Sequence, residues 1–507
     1  MDILTMLLNG FYISISPANL LACIAGVLIG TLVGVLPGIG PVGTIALLLP
    51  FSFSLDATAS LIMFAGIYYG SMFGGSTTSI LLNVPGEASS VVTCLDGYAM
   101  AKKGRAGAAL AIAAIGSLVA GTMGLIGLTF FAPLMSRLAV TFGPPEYFAI
   151  ALVGLLLLMK FTGKSMLKSG LMVVVGIMLG TIGLDSLTGV NRFTFDVDEL
   201  QRGIEFSIVA MGVFGVSEIL DTLVHTNREQ NVQSFKFRDL YPSREELRRS
   251  VQPIFRGGII GFLVGLLPGP AATISTFVSY AVEKRKSKRP EEFGQGAIEG
   301  VAGPESANNA AASATMIPLL SLGLPFSASS AILLSGFLIH GIVPGPTLVT
   351  QNPDLFWGLI ASMYLGNVIL LIVNLPLVGL FTWILKIPIN ILMPVVLMIT
   401  MTGAYSINNS IFDVALLIFF GVLGFFMKQA DYEPAPLALG LILGPVLENG
   451  LAQGLIIGDG SVWFLFTRPI SGTILWLGVA LLVFQTVCWF NKQGKRKTTQ
   501  SGEREVC

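Results

Sequence analysis

The sequence predicts an all-α polytopic membrane protein of about twelve transmembrane helices in two pseudo-repeats, each carrying a broken or re-entrant hairpin. Three observations predict it. The 507 residues are 53% hydrophobic and 11% charged, where a soluble domain carries about 25% charged residues. Long apolar runs are cut repeatedly by Pro and Gly. Motifs of the first half return, in order, in the second. Net charge is zero, which gives no basis for nucleic-acid binding. The cysteines Cys23, Cys94, Cys488 and Cys507 are scattered, with no CxxC, and suggest neither a disulfide framework nor a metal site. Two histidines and no HExxH or Walker-type motif argue against an enzyme, and no cofactor is expected.

The first span is expected from Asn19 to Leu36. It ends in Leu36-Pro37-Gly38-Ile39-Gly40-Pro41, where proline stops the helix. No Lys or Arg precedes Lys102, so the basic start of a secretory signal is missing and the first helix is expected to stay as an anchor. A second apolar run covers Val42 to Phe53. The basic cluster Lys102-Lys103-Gly104-Arg105 reads as a cytoplasmic loop. Further spans are expected at Ala106–Pro133, Tyr147–Met159, Ser169–Leu184 and Phe206–Val224. The acidic stretch Asp185–Glu205 is placed outside. His225–Arg256, rich in Lys and Arg, reads as a cytoplasmic linker, and its Ser-Arg-Glu-Glu start at Ser243 fits the cap of a short surface helix. Three spans are expected between Gly358 and Met427, and a last one from Thr473 to Phe490 before Lys492, Lys495, Arg496 and Lys497. The organisation expected is a first repeat at 1–224, a linker at 225–256, a second repeat at 257–491 and a cytoplasmic tail at 492–507.

Two stretches stand apart. Gly66–Ser90 carries Gly74-Gly75, then Ser76, Thr77, Thr78 and Ser79, and later Pro85-Gly86. Each Gly costs a helix roughly 1 kcal/mol relative to Ala, so a break at the glycine pair is expected, with the hydroxyls serving the freed backbone. Pro304–Ser330 is the counterpart: Pro304, Glu305, Ser306, Asn308 and Asn309 precede an apolar run that ends in Gly323-Leu324-Pro325. Leu81-Leu82 matches Leu319-Leu320, and Ala88-Ser89-Ser90 matches Ala328-Ser329-Ser330, with a two-residue gap between. Gly30 to Gly38 is echoed by Gly261 to Gly269, which pairs Pro37 and Gly38 with Pro268 and Gly269 as helix breakers. Further echoes join Pro145 to Pro353 and Gly176 to Gly440, and collinear matches of this kind argue for an internal duplication. Loop charges put Pro145 and Pro353 on one side, as in a parallel repeat; architectural analogy favours an inverted one, the expectation adopted. Paired interrupted segments of this kind mark a transporter's binding site.

These motifs resemble the large membrane subunit of the tripartite tricarboxylate transporter family. The resemblance is carried by LPGIGP at 36–41, GSMFGGSTTSILLNVPGE at 70–87, DGYAMAKKGRAGAAL at 96–110, LLPGP at 266–270 and SKRPEEFGQGAIEGVAGPESANNA at 287–310. It implies a permease of the bacterial inner membrane that works with a small membrane subunit of about four helices and a periplasmic solute-binding protein. It also implies cation-coupled uptake of a carboxylate, citrate being the namesake. A carboxylate channel and a non-transporting scaffold for the binding protein are the alternatives.

No Lys or Arg falls in the two interrupted stretches. The substrate is therefore expected to meet helix N-termini, which carry about half a positive charge each, at helices restarting after Gly74-Gly75 and after Pro304. Gly74 to Ser79, Pro304, Ser306, Asn308 and Asn309 would bind substrate; Ser76, Thr77, Glu305, Asn308 and Asn309 would also hold a coupling sodium ion or proton. Moving one negative charge inward against 100 mV costs about 2.3 kcal/mol, so a polyanion needs accompanying cations. Glu87, Asp96 and Glu299 are further acidic candidates. Glu87 and Asp96 equally suit turn positions.

Overall fold

The computed structural model describes residues 2–35, 40–162, 165–185, 188–225, 241–375, 389–480 and 482–483. Pro37, Gly38, most of the linker's first half and the tail at 492–507 lie outside the described residues. The described residues are mostly helical. The first half comprises α1 (Ile3–Ser14), α2 (Pro17–Val35), α3 (Gly40–Leu48), α4 (Ala57–Leu82), α5 (Val91–Lys102), α6 (Ala106–Ala139), α7 (Pro144–Phe161) and α8 (Met166–Gly180). A two-residue antiparallel pair follows, β1 (Gly183–Leu184) with β2 (Asn191–Arg192). Then α9 (Phe206–Ala210) runs through a π-helical turn, Met211–Val216, into α10 (Ser217–His225). The second half comprises α11 (Arg244–Gly265), α12 (Ala271–Lys286), α13 (Glu299–Ala314), α14 (Met316–Leu322), α15 (Ala328–Ile339), α16 (Leu348–Gln351), α17 (Pro353–Asn374), α18 (Ile389–Asn408), α19 (Ile411–Gln429), α20 (Pro434–Ile457), α21 (Trp463–Thr467) and α22 (Pro469–Ala480).

Seven of the described helices are long and apolar enough to cross a membrane: α2, α6, α7, α9–α10, α17, α19 and α20. Shorter apolar helices, α1, α8, α15 and α22 among them, complete the bundle. The chain is a multi-pass, all-α membrane protein. The Ser243 cap is made as its motif suggests: Ser243 Oγ accepts from the Glu246 amide at 3.2 Å, and the Glu246 carboxylate accepts from the Ser243 amide at 2.7 Å. The helix it starts is not a short surface one. α11 continues for 22 residues through position 256, so linker and span are one helix.

Two helix pairs form the centre, and small residues decide both. A Cβ at Gly26, Gly30 or Gly34 of α2 would run into the carbonyl oxygens of Met63, Ile67 and Ser71 of α4. At Gly257, Gly261 and Gly265 of α11 it would run into those of Gly303, Ala307 and Ala311 of α13. Glycine every fourth residue lets backbones touch where lipid offers no hydrophobic drive for association. In each pair the contacts advance together, so α2 runs parallel to α4, and α11 to α13. Between the pairs the sense reverses: Tyr69 meets Ser313 while Ser76 meets Glu305. α4 and α13 thus cross head to tail. The echo between Gly176 and Gly440 falls outside that relation, because α8 and α20 pack side by side in the same direction.

The expected break at Gly74-Gly75 is corrected. α4 is continuous from Ala57 to Leu82, and every residue from Ala59 to Leu81 is buried. The glycines serve packing: a Cβ on Gly74 would strike the Thr31 carbonyl, and one on Gly75 would press on the Glu87 side chain. The expected restart after Pro304 is corrected as well. Pro304 lies inside α13, which begins at Glu299. Proline there removes one backbone donor, and a lost backbone bond is tolerated in a helix packed on all sides.

The end of the bundle bearing Lys102, Lys103 and Arg105 is laced with ion pairs. Arg249 of α11 holds Glu299 through two 2.8 Å bonds and Glu292 through one of 2.5 Å. The hydrogen bond from Arg249 keeps Glu292 below the usual carboxylate range. A carboxylate depressed in the folded state stabilises the fold above its ordinary value of 4.5, and that contribution disappears as pH falls through the folded value. Arg249→Gln is expected to cost about 1 kcal/mol at neutral pH, these groups being partly exposed. Melting temperatures of wild type and variant should converge below the carboxylate range, and a gap independent of pH would refute the assignment.

Candidate functional site

Two hairpin tips meet inside the bundle, and they are built alike. α4 ends at Asn83 in the left-handed conformation, φ 58°. Val84-Pro85-Gly86 turns the chain, Glu87 caps the 3₁₀ turn Ala88–Ser90, and α5 follows. α14 ends at Gly323, φ 71°. Leu324-Pro325-Phe326 turns the chain, and Ser327 caps α15, with its Oγ 3.2 Å from the Ser330 amide. Each tip is therefore a left-handed C-cap, a proline, a capping residue and Ala-Ser-Ser. Asn83 and Gly323 coincide in this register, so the two-residue gap of the sequence match closes: Leu82 corresponds to Leu322.

The unwound chain after α11 supports the second tip. Gly269, φ 130°, donates its amide to the Phe326 carbonyl at 2.8 Å, next to Pro268. Gly86 of the first tip packs on the Gly34 carbonyl at the end of α2.

A cavity of about 940 Å³ lies between the tips. Gly86, Glu87 and Ser89 line it on one side; Ser327, Ala328 and Ser329 line it on the other. Tyr68, Thr273 and Thr315 add hydroxyls. α15 begins at its wall with Ala328, and so does the 3₁₀ turn Ala88–Ser90 that leads into α5. Lys428 of α19 lines it too, ion-paired with Glu218 and 3.1 Å from Asp221 of α10.

Behind the first tip lies a polar layer. Glu305 of α13 is buried; its Oε2 accepts from Ser76 Oγ at 2.5 Å, and its Oε1 accepts from Thr93 Oγ1. Glu87 Oε1 accepts from Ser89 Oγ at 2.5 Å and from Asn308 Nδ2 at 3.4 Å. Asn309 Nδ2 donates to Ser117 Oγ at 2.7 Å and to the Glu305 carbonyl at 3.1 Å. Tyr69 donates to Ser313 at 2.7 Å, and Tyr68 lies 3.3 Å from Thr315 Oγ1. Among the described residues no Lys, Arg or His pairs with either carboxyl group.

The residues singled out in the sequence thus come together, but mostly one layer behind the cavity. Gly74 to Ser79 and Pro304 to Asn309 line none of its described wall. Thr78 and Ser79 bond back to the Gly75 carbonyl, at 3.2 and 2.9 Å. Thr77 shares a small void with Ser117 and Asn374. Ser306 faces Gly116 of α6. The starts that lie at the cavity wall are those of the 3₁₀ turn before α5 and of α15, not the expected restarts after Gly74-Gly75 and Pro304. Ser89, Thr93, Ser327 and Thr315 went unassigned in the sequence, although the repeated Ala-Ser-Ser after a proline was the available signal. Asp96 and Glu299 lie outside the cavity wall.

A family model described as the tripartite tricarboxylate transporter TctA family matches residues 20–439. The chain belongs to that family. It is 49% identical over 484 residues, 95% of this chain and 96% of the relative, to a protein of Agrobacterium vitis described as "Uncharacterized 52.8 kDa protein in TAR-I ttuC' 3'region". A second relative from Agrobacterium vitis, "Uncharacterized protein in TAR-II ttuC' 3'region", is 49% identical over 223 residues, 44% of this chain and 92% of the relative. No solved structure matches. Membership makes this a membrane subunit of a transporter family, not of an enzyme family.

Proposed function

We propose that this chain is the permease of a binding-protein-dependent secondary transporter that imports a carboxylate by cation-coupled symport. The cavity between two like-built hairpin tips, in a chain of this family, carries the reading. Substrate carboxylates sit at the turn before α5 and at the N-terminus of α15, against Ser89, Ser327 and Ser329. This moves the substrate contacts from Gly74–Ser79 and Pro304 to the tips. Glu87, Glu305, Ser76, Thr93, Asn308 and Asn309 serve the coupling cation. The protein sits in the bacterial inner membrane with its C-terminus in the cytoplasm. A small membrane subunit and a periplasmic solute-binding protein complete it.

Uptake of radiolabelled carboxylates tests the proposal, in cells making this chain with or without both partner subunits. Accumulation of one carboxylate only when all three are present is the expected result. It should vanish when the cation gradients are collapsed. Uptake that merely equilibrates, indifferent to those gradients, would make the protein a channel and overturn the symport.

A further inference from the structure

Asn308 is fully buried, and its carbonyl oxygen Oδ1 has no hydrogen-bond partner. Its amide nitrogen lies 3.4 Å from Glu87 Oε1, a carboxyl oxygen already bonded to Ser89. A buried carbonyl without a donor is costly. The Glu87 carboxyl, beside the same side chain, can supply that donor when it is protonated. A carboxylic acid and a carboxamide then close a two-bond ring, the acid O–H donating to the amide oxygen and the amide N–H to the acid oxygen.

The surroundings favour Glu87 over Glu305 for this role. Both Glu305 oxygens already accept hydroxyl donors, from Ser76 and Thr93, the arrangement a carboxylate requires. Glu305 is sealed in, whereas Glu87 lines the cavity and can exchange a proton with it. The titratable groups facing Glu87 are Glu305 of α13 and Tyr68 of α4. Across the cavity stand Glu218 and Asp221 of α10, Lys428 of α19, and Asp431, Tyr432 and Glu433 beyond it. α12 presents Ala271, Ala272 and Thr273, none of them ionisable. Lys428 is engaged by Glu218 and Asp221, and among the described residues no Lys, Arg or His pairs with Glu87.

We infer that Glu87 holds a proton shared with Asn308, and that this proton is the ion moved with the substrate. The inference rests on the carboxylate-symport reading above. With Glu87 neutral, an anion reaching the turn before α5 meets no like charge. On the releasing side the proton passes from Glu87 to water in the cavity, leaving a carboxylate that repels the anion from the tip. No other bond changes.

Infrared spectroscopy of the purified full chain in lipid nanodiscs tests the proton without any substrate. At neutral pH a protonated-carboxyl carbonyl band is expected. It should disappear in Glu87→Gln, persist in Glu305→Gln, and move to higher frequency in Asn308→Ala, which removes the acceptor. A spectrum unchanged by Glu87→Gln and by Asn308→Ala overturns the proposal, and the second variant serves if the first does not fold. Labelled citrate is the transport probe, with the two partner subunits present. With the membrane potential clamped at zero, wild type should accumulate citrate about tenfold per coupled proton and pH unit of gradient, in potassium as in sodium. Glu87→Gln should lose that accumulation while still exchanging citrate across the membrane. Accumulation that follows a sodium gradient, or survives Glu87→Gln, overturns the coupling. A wild type that moves no citrate, yet loses its band in Glu87→Gln, would count against the carboxylate reading and for the proton on Glu87.

Discussion

Gly261→Leu is expected to yield no correctly folded protein. At Gly261 a Cβ has no room: it would meet the backbone of Ala307, not a side chain that can turn aside. Overpacking in a side-chain core costs about 1–3 kcal/mol. Here two helix backbones must separate, and Gly257 and Gly265, one turn either side, lose their contacts with α13 together. The cost should exceed about 4 kcal/mol, the range of exceptional substitutions. Gly30→Leu in α2 should behave the same way, because it meets the Ile67 backbone in the matching pair. Gly154→Ala in α7 is the control. Its nearest neighbours are Pro268 side-chain atoms at 3.8 and 3.9 Å, so the change should be neutral or gain up to about 1 kcal/mol of helix propensity. Size-exclusion profiles and melting temperatures in detergent decide the matter. A monodisperse Gly261→Leu protein with the wild-type melting temperature would show that the helices do not meet there.

Asp96→Ala carries the next largest expected effect. Asp96 is fully buried in α5. Its Oδ1 accepts the amides of Gly294, Gly296 and Ala297 at 2.8, 2.7 and 2.8 Å, and its Oδ2 accepts Tyr280 OH at 2.9 Å. One carboxylate thus ties the outgoing arm of the first hairpin to α12 and to the loop that opens α13. Alanine strands three amides and a phenol, each unmade bond costing about 1–3 kcal/mol where water cannot enter. A loss of about 3–5 kcal/mol is expected, the range for stripping a buried charge network. Tyr280→Phe removes one donor and should cost only about 1 kcal/mol. Equal melting temperatures for Asp96→Ala and Tyr280→Phe would refute a network held by the carboxylate. The sequence admitted a turn role for Asp96 because it precedes Gly97; the structure gives it a structural role, inside a helix and over a long range.

How much was legible follows from the range of the forces concerned. Pro85 with Gly86 and Gly323 with Pro325 punctuate the chain locally, and the helices stop beside them. Gly74-Gly75 and Pro304 carry the same local signal and misled, because each sits where a neighbouring backbone or a full shell of helices decides. A helix propensity of about 1 kcal/mol per glycine is outweighed when the glycine is the place where two helices touch. The conflict between parallel and inverted repeats had a similar source. Pro145 with Pro353 and Gly176 with Gly440 are resemblances of composition. The α2/α4 and α11/α13 glycine registers are resemblances of contact: within each pair the helices run parallel, and α4 crosses α13 in the opposite sense.

Composition and motif order alone determined the membrane class, the family and the two stretches that hold the polar residues, because lipid tolerates only apolar spans and rarely admits Glu, Asn or clustered hydroxyls without a purpose. Only the tertiary structure decided which of those residues face the cavity. A helix shows its faces with a period of 3.6 residues, but in α4 and α13 every face is buried and Glu87 and Ser327 sit in turns, so periodicity could not place the tip residues at the wall and Glu305 and Ser76 behind it. That assignment depends on how the two hairpins cross, a contact between residues more than two hundred positions apart.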